Sequence, residues 1–344
     1  MNVSVNQVVS PPSVLPVAAS GVAGPAREKE PLPTKTCRIN QEHPPSAAIR
    51  LPGLDRVWAR GYRGQGQTVA VIDSGLYAHE DFRERILAYL DLTGGHTRLK
   101  DGWGHGTHMA GIIAGNGHQS NGKVMGVAPE ARLVAIRIAT MEQAQAGLDW
   151  VLDHRQAYQI GVVNLSIGQP ATSGHTSCPC CQAVERATLA GLTIVAAAGN
   201  DGAQGPGSIN TPGISPHAIT VGGVDDRGTP DPDDDSPYLR GSRGPTAFDG
   251  LAKPDVLAPA QNIFSTLAPA CALDSHKRSR QGKRYMSLGG TSQATAAVSG
   301  LVALLRQARP DLQPHHYKAI LRQSAYAGSI VQAEAALKLA LDWP

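Results

Sequence analysis

Val69-Ala-Val-Ile-Asp73-Ser-Gly75 is the stretch of this 344-residue chain that decides the fold. Its uninterrupted apolar run is typical of a buried strand, and the acid and glycine that follow mark the end of that strand. Asp73 is therefore predicted at the carboxyl end of a strand. In an open α/β sheet this end faces the crevice where ligands bind.

Strand-like and helix-like segments alternate around this stretch. The predicted strands are Val69–Asp73, Arg132–Ile138, Gly161–Ser166, Thr193–Ala198 and Ala218–Val221. The predicted helices are His105–Ala114, Met141–Ala157, Cys181–Ala190, Ser292–Ala308 and Pro314–Ser324. Such alternation indicates an α/β fold, a mostly parallel twisted sheet flanked by helices on both faces. We expect one such domain over residues 49–344.

Residues 1–48 differ from the rest of the chain in being rich in proline. Proline fixes φ and removes a backbone donor, so we expect a short N-terminal arm that is extended or disordered, or a short propeptide. The first basic residue is Arg27, so the basic start of a secretory signal is missing. We therefore expect a protein that is cytoplasmic or unconventionally secreted.

Bulk composition argues against several classes of partner. The chain is 41% hydrophobic, which suits a large globular core. A formal net charge of +3 is too small to indicate nucleic acid or an acidic membrane surface as a partner. No run of about 18 apolar residues occurs, so no membrane span is expected.

Three segments supply what a weak hydroxyl nucleophile requires, namely the nucleophile, a base and a group that orients the base. Ser292 lies in Gly290-Thr-Ser-Gln-Ala-Thr-Ala296, at the predicted start of a helix. Free backbone N–H groups there can stabilise developing negative charge. His105 lies in a glycine-rich turn, Asp101–Gly111, and Asp73 ends the buried strand.

In this order of Asp, His and Ser, the chain resembles the subtilisin-like serine proteases, or subtilases. The resemblance extends from about Leu51 to about Ala325. It includes Gly126-Val-Ala-Pro129, Val163–Gly168, Val195–Asn200, Ser242-Arg-Gly-Pro245 and Lys253–Pro259. The resemblance implies the subtilisin-like α/β architecture. It also implies a serine endopeptidase that works through an acyl-enzyme intermediate.

The resemblance also implies a role for each matching residue. Ser292 is the nucleophile, His105 the general base and then general acid, and Asp73 the residue that orients the imidazole. Asn200 is expected to donate to the oxyanion beside the Ser292 backbone N–H. His108, three residues after His105, has no catalytic role in this match and is expected to point into the core.

Polypeptide substrates are expected to bind as an extended strand between two surface segments. The substrate-binding residues implied by the resemblance are Leu165, Ser166, Ile167 and Gly168 on one wall of the specificity pocket, Ala197 and Gly199 on the other, and Asp201 and Asn210 at its rim and base. Secreted subtilases often have glycine where this chain has Asn210. A shallower or more polar pocket, and a basic or polar residue before the cut, are expected.

The chemistry requires no cofactor, but structural calcium is a typical property of subtilases. An acidic insertion, Asp225–Asp226 with Asp231–Asp235, is either a solvated charge run or a calcium loop, because clustered carboxylates are hard oxygen ligands. Asp81 and the Asn116–Asn121 loop are further candidates. No metal ligand is assigned.

The five cysteines form no obvious disulfide framework, and their odd number leaves at least one without a partner. They are Cys37, Cys178, Cys180, Cys181 and Cys271. His175-Thr-Ser-Cys178-Pro-Cys180-Cys181 is dense enough for a metal-binding tract, yet no second cluster completes a tetrahedral site. A disulfide, reduced thiols and a metal remain open for this segment.

Three further hypotheses concern function. The first is that the chain is a catalytically silent subtilase-fold protein that binds peptides. The second is that it is a sedolisin-like acid peptidase, which would use a glutamate as base. Intact Asp73, His105, Asn200 and Ser292 argue against the first, and the His105 motif argues against the second. The third hypothesis is that part of Pro31–Pro52 lies across the active site as an inhibitor.

Overall fold

The computed structural model describes residues 49–94, 96–229, 231–275 and 280–344, and the predicted arm at residues 1–48 lies outside them. No helix in these ranges combines the length and apolarity needed to cross a membrane. The α-helices of the described residues are α1 (Leu54–Ala59), α2 (His105–Ala114), α3 (Met141–His154), α4 (Pro179–Leu189), α5 (Thr291–Ala308), α6 (Pro314–Gln323) and α7 (Ala333–Leu341).

The strands of the described residues fall into one large sheet and three small ones. They are β1 (Thr68–Asp73), β2 (Ile86–Asp91), β3 (Arg132–Arg137), β4 (Ile160–Leu165), β5 (Gln169–Pro170), β6 (Thr193–Ala197), β7 (Pro206–Gly207), β8 (Asn210–Thr211), β9 (Ile219–Asp225), β10 (Ser236–Pro237), β11 (Arg243–Thr246), β12 (Val256–Pro259), β13 (Ile263–Thr266), β14 (Arg280–Gln281) and β15 (Tyr285–Leu288).

The large sheet has the strand order β10-β9-β6-β4-β1-β3-β2, and β12 also pairs with β9. Among the strands that the structure describes in this sheet, only β10 pairs antiparallel, so the predicted mostly parallel sheet is confirmed. In β1, Val71 lies opposite Ala135 of β3 and Asn164 of β4. The chain thus continues to one side of β1 through β3 and to the other through β4. A crevice opens at such a point beyond the carboxyl ends of the strands.

Helices cover both faces of the sheet because alternate side chains of each strand enter different cores. In β1, Val69 and Val71 pack in the core that contains α2 and α5. Ala70 and Ile72 pack in the core that contains α3 and α4. This burial on both faces explains why β1 is an uninterrupted apolar run.

The predicted elements are present, with shifted ends. The elements that were not predicted are β2, β5, β7, β8, β10 to β15, α1 and α7. In the sequence, a short apolar run such as Ile86–Asp91 fits a strand or a buried helix equally well. In the structure this run pairs with β3 and is therefore a strand. A buried ion pair then joins these strands, since Arg137 Nη1 donates to Asp91 Oδ2 at 2.9 Å. Arg137 Nε also donates to the Ser74 carbonyl at 3.3 Å, which braces the chain just after β1.

Candidate active site

The end of β1 and the start of α2 meet at unusually close range, and glycines allow it. A Cβ atom at Gly106 would lie 2.2 Å from the Gly75 carbonyl oxygen and 3.1 Å from Asp73 Cβ. At Gly75, where φ is +126°, a Cβ atom would lie 1.9 Å from the Lys100 carbonyl oxygen. A side chain at Gly106 would therefore push the helix away from the strand, and one at Gly75 would push away the Lys100 backbone, which leads into Asp101.

This approach brings His105, the first residue of α2, against Asp73, the last residue of β1. His105 Nδ1 donates to Asp73 at 2.8 Å to Oδ1 and 3.0 Å to Oδ2, because a carboxylate can only accept. Both side chains are buried. His105 Nε2 has no hydrogen-bond partner in the described structure, so the second ring nitrogen is available to a proton donor.

The electrostatic surroundings favour the protonated imidazole. Burial opposes a charge on His105, but the charge of Asp73 and its hydrogen bond outweigh that effect, and the charge of Asp101 adds to them. The pKa of His105 is raised above its ordinary value as a result. The pair is thus arranged to receive a proton at Nε2 and hold it.

Asp101 holds this corner together and was not predicted from the sequence. Its Oδ1 accepts from Gly104 N at 2.7 Å and from Ser74 Oγ at 2.9 Å. Its Oδ2 accepts from Thr107 N at 2.9 Å and from Thr107 Oγ1 at 2.6 Å. The carboxylate therefore caps the start of α2 and ties it to the loop after β1. An acid shortly before a helix start is the sequence signal that could have revealed it.

Ser292 lies in the first turn of α5 and is exposed to only 1%. Its Oγ donates to the Ser166 carbonyl at 3.0 Å, and Ser166 Oγ donates in return to the Ser292 carbonyl at 2.9 Å. Ser166 and His105 line the same cleft. Ser292 Oγ is therefore bonded to a residue that lines the cleft of His105.

Asn200 is fixed beside the same helix end. Its Oδ1 accepts from Thr291 N at 3.0 Å. This bond fixes which end of the Asn200 amide is the oxygen, so the other end, Nδ2, is the donor. Thr291 Oγ1 also donates to the Gly199 carbonyl at 3.1 Å. The residue before the serine therefore holds the Asn200 loop against the start of α5, where the first backbone N–H groups have no helical acceptors.

Asn210 fills the space between the two predicted walls of the specificity pocket. A Cβ atom at Gly168 would lie 3.2 Å from Asn210 Cβ, and one at Gly199 would lie 2.7 Å from Asn210 Nδ2. Asn210 Nδ2 donates to Asp201 Oδ2 at 3.0 Å. The described geometry thus puts a buried amide and a partly buried carboxylate where the sequence placed the base and rim of the pocket.

The other predicted pocket residues differ in how they contribute. Leu165 and Ala197 are buried at the ends of β4 and β6, and Leu165 belongs to the α3 and α4 core rather than to an open surface. Ile167 is partly exposed. A cleft beside Asp73 and His105, which the sequence did not reveal, is lined mainly by apolar groups from Trp103, Ile138, Ala139, Met141 and Ile167.

His108 lies in the core, as expected. Its Nε2 donates to the Met286 carbonyl at 3.1 Å, and the side chain is fully buried. Burial lowers the pKa of His108 to about 3 despite that hydrogen bond. The imidazole therefore stays neutral near neutral pH and faces away from the reacting groups.

The calcium candidates do not form a ready metal site. Asp81 is buried, with Oδ1 accepting from Gln119 N at 3.0 Å and Oδ2 from Tyr285 Oη at 2.8 Å. In the acidic insertion, Thr229 Oγ1 donates to both oxygens of Asp234 at 2.9 and 3.0 Å. Across the ranges that the structure describes, no three His, Cys, Asp or Glu side chains converge on a point suited to a metal ion. In this structure Asp81 and Asp234 are thus bonded to protein donors.

Sequence comparisons connect this geometry with known proteins. The subtilase family model matches residues 64–338. Serine protease AprX of Bacillus subtilis (strain 168) is 38% identical over 271 residues, which are 75% of this chain and 61% of AprX. This chain thus spans about three fifths of that relative. Subtilisin Savinase of Lederbergia lenta is 33% identical over 305 residues, which are 83% of this chain and 98% of Savinase.

Solved structures show the same architecture. A protease from Pseudoalteromonas arctica PAMC 21717 superposes with a TM-score of 0.68 at 25% identity, covering 85% of this chain and 95% of that one. Fervidolysin from Fervidobacterium pennivorans gives a TM-score of 0.66 at 25% identity, with 82% and 44% covered. Because the family model matches most of this chain, the chain belongs to the subtilase family of serine proteases.

Proposed function

We propose that this chain is a serine endopeptidase that hydrolyses polypeptides at Ser292. The observation that carries the proposal is the buried bond between His105 and Asp73, which leaves His105 Nε2 without a partner in the cleft that Ser166 also lines. A serine beside such a nitrogen can lose its proton as it attacks. No cofactor takes part in this chemistry.

The reaction proceeds in two halves. Ser292 Oγ attacks the scissile carbonyl carbon while His105 Nε2 takes the hydroxyl proton. The tetrahedral intermediate collapses, the C–N bond breaks, and His105 returns the proton to the leaving amine. Water then attacks the acyl-enzyme by the same route and releases the acid. Asp73 stabilises the imidazolium throughout.

The oxyanion forms beside the start of α5. We assign its stabilisation to the Ser292 backbone N–H and the Asn200 side-chain amide, whose orientation is set by Thr291. In sites of this kind, one donor aimed at the oxyanion stabilises the transition state by about 2.7–4 kcal/mol. The histidine base disfavours a sedolisin-like mechanism, and the family match gives no support to a silent peptide-binding protein.

The triad assignment predicts which side chain reacts with an active-site probe. A fluorophosphonate should label the wild-type chain at Ser292, and Ser292→Ala should abolish labelling. Asn200→Ala should lower kcat about 100- to 1,000-fold while leaving KM within a few-fold, because the donor acts mainly in the transition state. Equal labelling of wild type and Ser292→Ala would contradict the assignment.

Asp101 predicts a shift in the pH profile. His105 must be neutral to act as base, so kcat/KM should rise with pH through its raised pKa. Asp101→Asn removes a charge that raises that pKa, so the acidic limb of the profile should move to lower pH. The plateau rate should fall about 10- to 100-fold, since α2 loses part of its anchor.

The matched control is Asp149→Asn, which removes an exposed carboxylate on α3 paired with Arg186. Surface ion pairs of this kind contribute little to stability. Both the acidic limb and the plateau of the pH profile of kcat/KM should therefore match the wild type. An unchanged acidic limb in a folded Asp101→Asn variant would show that Asp101 does not act on His105.

The filled pocket base also predicts the residue preferred before the cut. Asn210 leaves little depth for a large side chain, and the Asp201 carboxylate beside it favours polar or basic groups. Wild type should therefore cleave substrates with lysine or a small polar residue at this position in preference to phenylalanine. Asn210→Gly should improve kcat/KM for phenylalanine relative to lysine about 10-fold or more, by opening space.

Asn121→Gly makes the same substitution in the loop after α2, away from the pocket. Its backbone has a φ of +51°, which glycine accepts readily, so the fold should be kept. The preference of this control should equal that of wild type. A wild-type enzyme that favours phenylalanine over lysine would refute the pocket argument.

The N-terminal arm remains a proposed inhibitor of the enzyme. The described end of Pro31–Pro52, the segment expected to lie across the active site, packs against the rest of the domain. Ile49 and Leu51 are buried in the core, and the Pro52 carbonyl accepts from Ala333 N at 2.9 Å. Only residues up to 48 are thus candidates for the cleft. Deleting residues 1–48 should raise the initial rate of peptide hydrolysis, and an unchanged rate would dismiss the proposal.

A further inference from the structure

The cysteine segment at the start of α4 is not used by the proteolytic chemistry. Cys178 is the residue before the helix, Pro179 begins it, and Cys181 follows in its first turn. Cys178 Sγ accepts from the Cys181 backbone N–H at 3.2 Å, so a sulfur makes the capping bond that an oxygen usually makes. The two cysteines are thus separated by two residues and held on one helix end.

The two thiols also bond to each other. The Cys181 thiol donates to Cys178 Sγ, and this bond does most to lower the pKa of Cys178, to about 6, with the Cys181 backbone N–H adding to it against the effect of burial. The same bond and burial raise the pKa of Cys181, and burial raises that of Cys180 to about 12. One thiolate nucleophile beside one protonated thiol results.

We propose that Cys178 and Cys181 form a reversible dithiol–disulfide pair that responds to hydrogen peroxide. A pair with two residues between its members at a helix start lies within the reach of a disulfide, and all cysteines that the structure describes are reduced. No metal competes for them in the described geometry, since His175 Nδ1 is bonded to an Asp249 carboxylate oxygen at 3.0 Å and no third ligand converges.

The oxidation balances with peroxide as the two-electron oxidant. The Cys178 thiolate attacks one peroxide oxygen, the O–O bond breaks, and the departing hydroxide takes up a proton to become water, leaving a sulfenic acid. Cys181 sulfur then attacks Cys178 sulfur. Its thiol proton leaves with the sulfenic hydroxyl as a second water, and the S–S bond remains. Peroxide is small enough to reach a thiol that is only 5% exposed.

The pair lies behind the specificity pocket. Cys178 Sγ is 4.0 Å from Thr211 Oγ1, and Thr211 follows Asn210 in β8. β8 in turn pairs with β5, which continues the pocket wall from Gly168. A disulfide draws Cys178 Sγ towards Cys181 and away from Thr211. Resting on the proposed function, we therefore infer that oxidation changes the fit of substrate in this pocket.

Peptide mapping of the full-length chain tests the pair itself. Cys178, Cys180 and Cys181 lie in one tryptic peptide, residues 156–186. The chain is reduced, treated with stoichiometric hydrogen peroxide, alkylated and digested. Wild type should show one alkylated cysteine and a mass lower by two hydrogens. Cys180→Ser should retain the disulfide, whereas neither Cys178→Ser nor Cys181→Ser should form one. Cys178→Ser should show two alkylated cysteines, and in Cys181→Ser the oxidised Cys178 should stay a sulfenic acid.

Dithiothreitol should restore all thiols. The proposed pairing of Cys178 with Cys181 would be wrong if both cysteines of the Cys180→Ser peptide were alkylated. It would also be wrong if the disulfide formed only when Cys180 is present. These outcomes do not depend on proteolysis, so they stand whether or not the proposed function is correct. Circular dichroism of each serine variant, with its unfolding midpoint, establishes that the fold is kept.

Kinetics after removal of peroxide by catalase tests the link to the pocket. Oxidised wild type and Cys180→Ser should show a severalfold rise in KM that dithiothreitol reverses. Cys178→Ser should show no reversible change, which controls for oxidation elsewhere in the chain. A disulfide that forms without changing KM or kcat would refute the link to the pocket.

Discussion

The site depends on the close approach of α2 to the end of β1. Gly106 permits a separation that a side chain would prevent, and only then does His105 reach Asp73 at 2.8 Å. The strand supplies rigidity because it is buried on both faces, and Arg137 braces the loop that follows it. A buried carboxylate and imidazole are costly to keep unless each satisfies the other. The parallel sheet is therefore the support on which the reactive geometry rests.

A second constraint joins the nucleophile to its surroundings. Thr291 bonds both Gly199 and Asn200, and Ser166 exchanges hydrogen bonds with Ser292. The proposed oxyanion donor Asn200, Ser292 and Ser166 of the proposed pocket wall are consequently one hydrogen-bonded unit at the start of α5. Preorganised donors of this kind do not have to reorient when charge develops, which is why they stabilise a transition state more than solvent does. We propose that changes at the pocket base, whether by substitution of Asn210 or by oxidation of the thiols behind it, act on this unit.

Much of this could be read from the sequence, but not all of it. The buried strand ending in Asp73 and the alternation with helices gave the mostly parallel sheet, because a doubly buried strand has to be apolar throughout. β2 and α7 were missed because short apolar runs do not specify their partner. Asp101 was missed because a capping acid resembles any turn residue until its four donors surround it. The contact between Cys178 and Thr211 joins distant segments, and no local pattern encodes it.

The most direct test of the account is a crystal structure of the chain after reaction with a fluorophosphonate. We predict phosphorus bonded to Ser292 Oγ, with one phosphonyl oxygen within hydrogen-bond distance of both the Ser292 N–H and Asn200 Nδ2. His105 Nε2 should face the adduct while Nδ1 keeps its bond to Asp73. An adduct on another side chain, or a phosphonyl oxygen turned away from Asn200, would contradict the account.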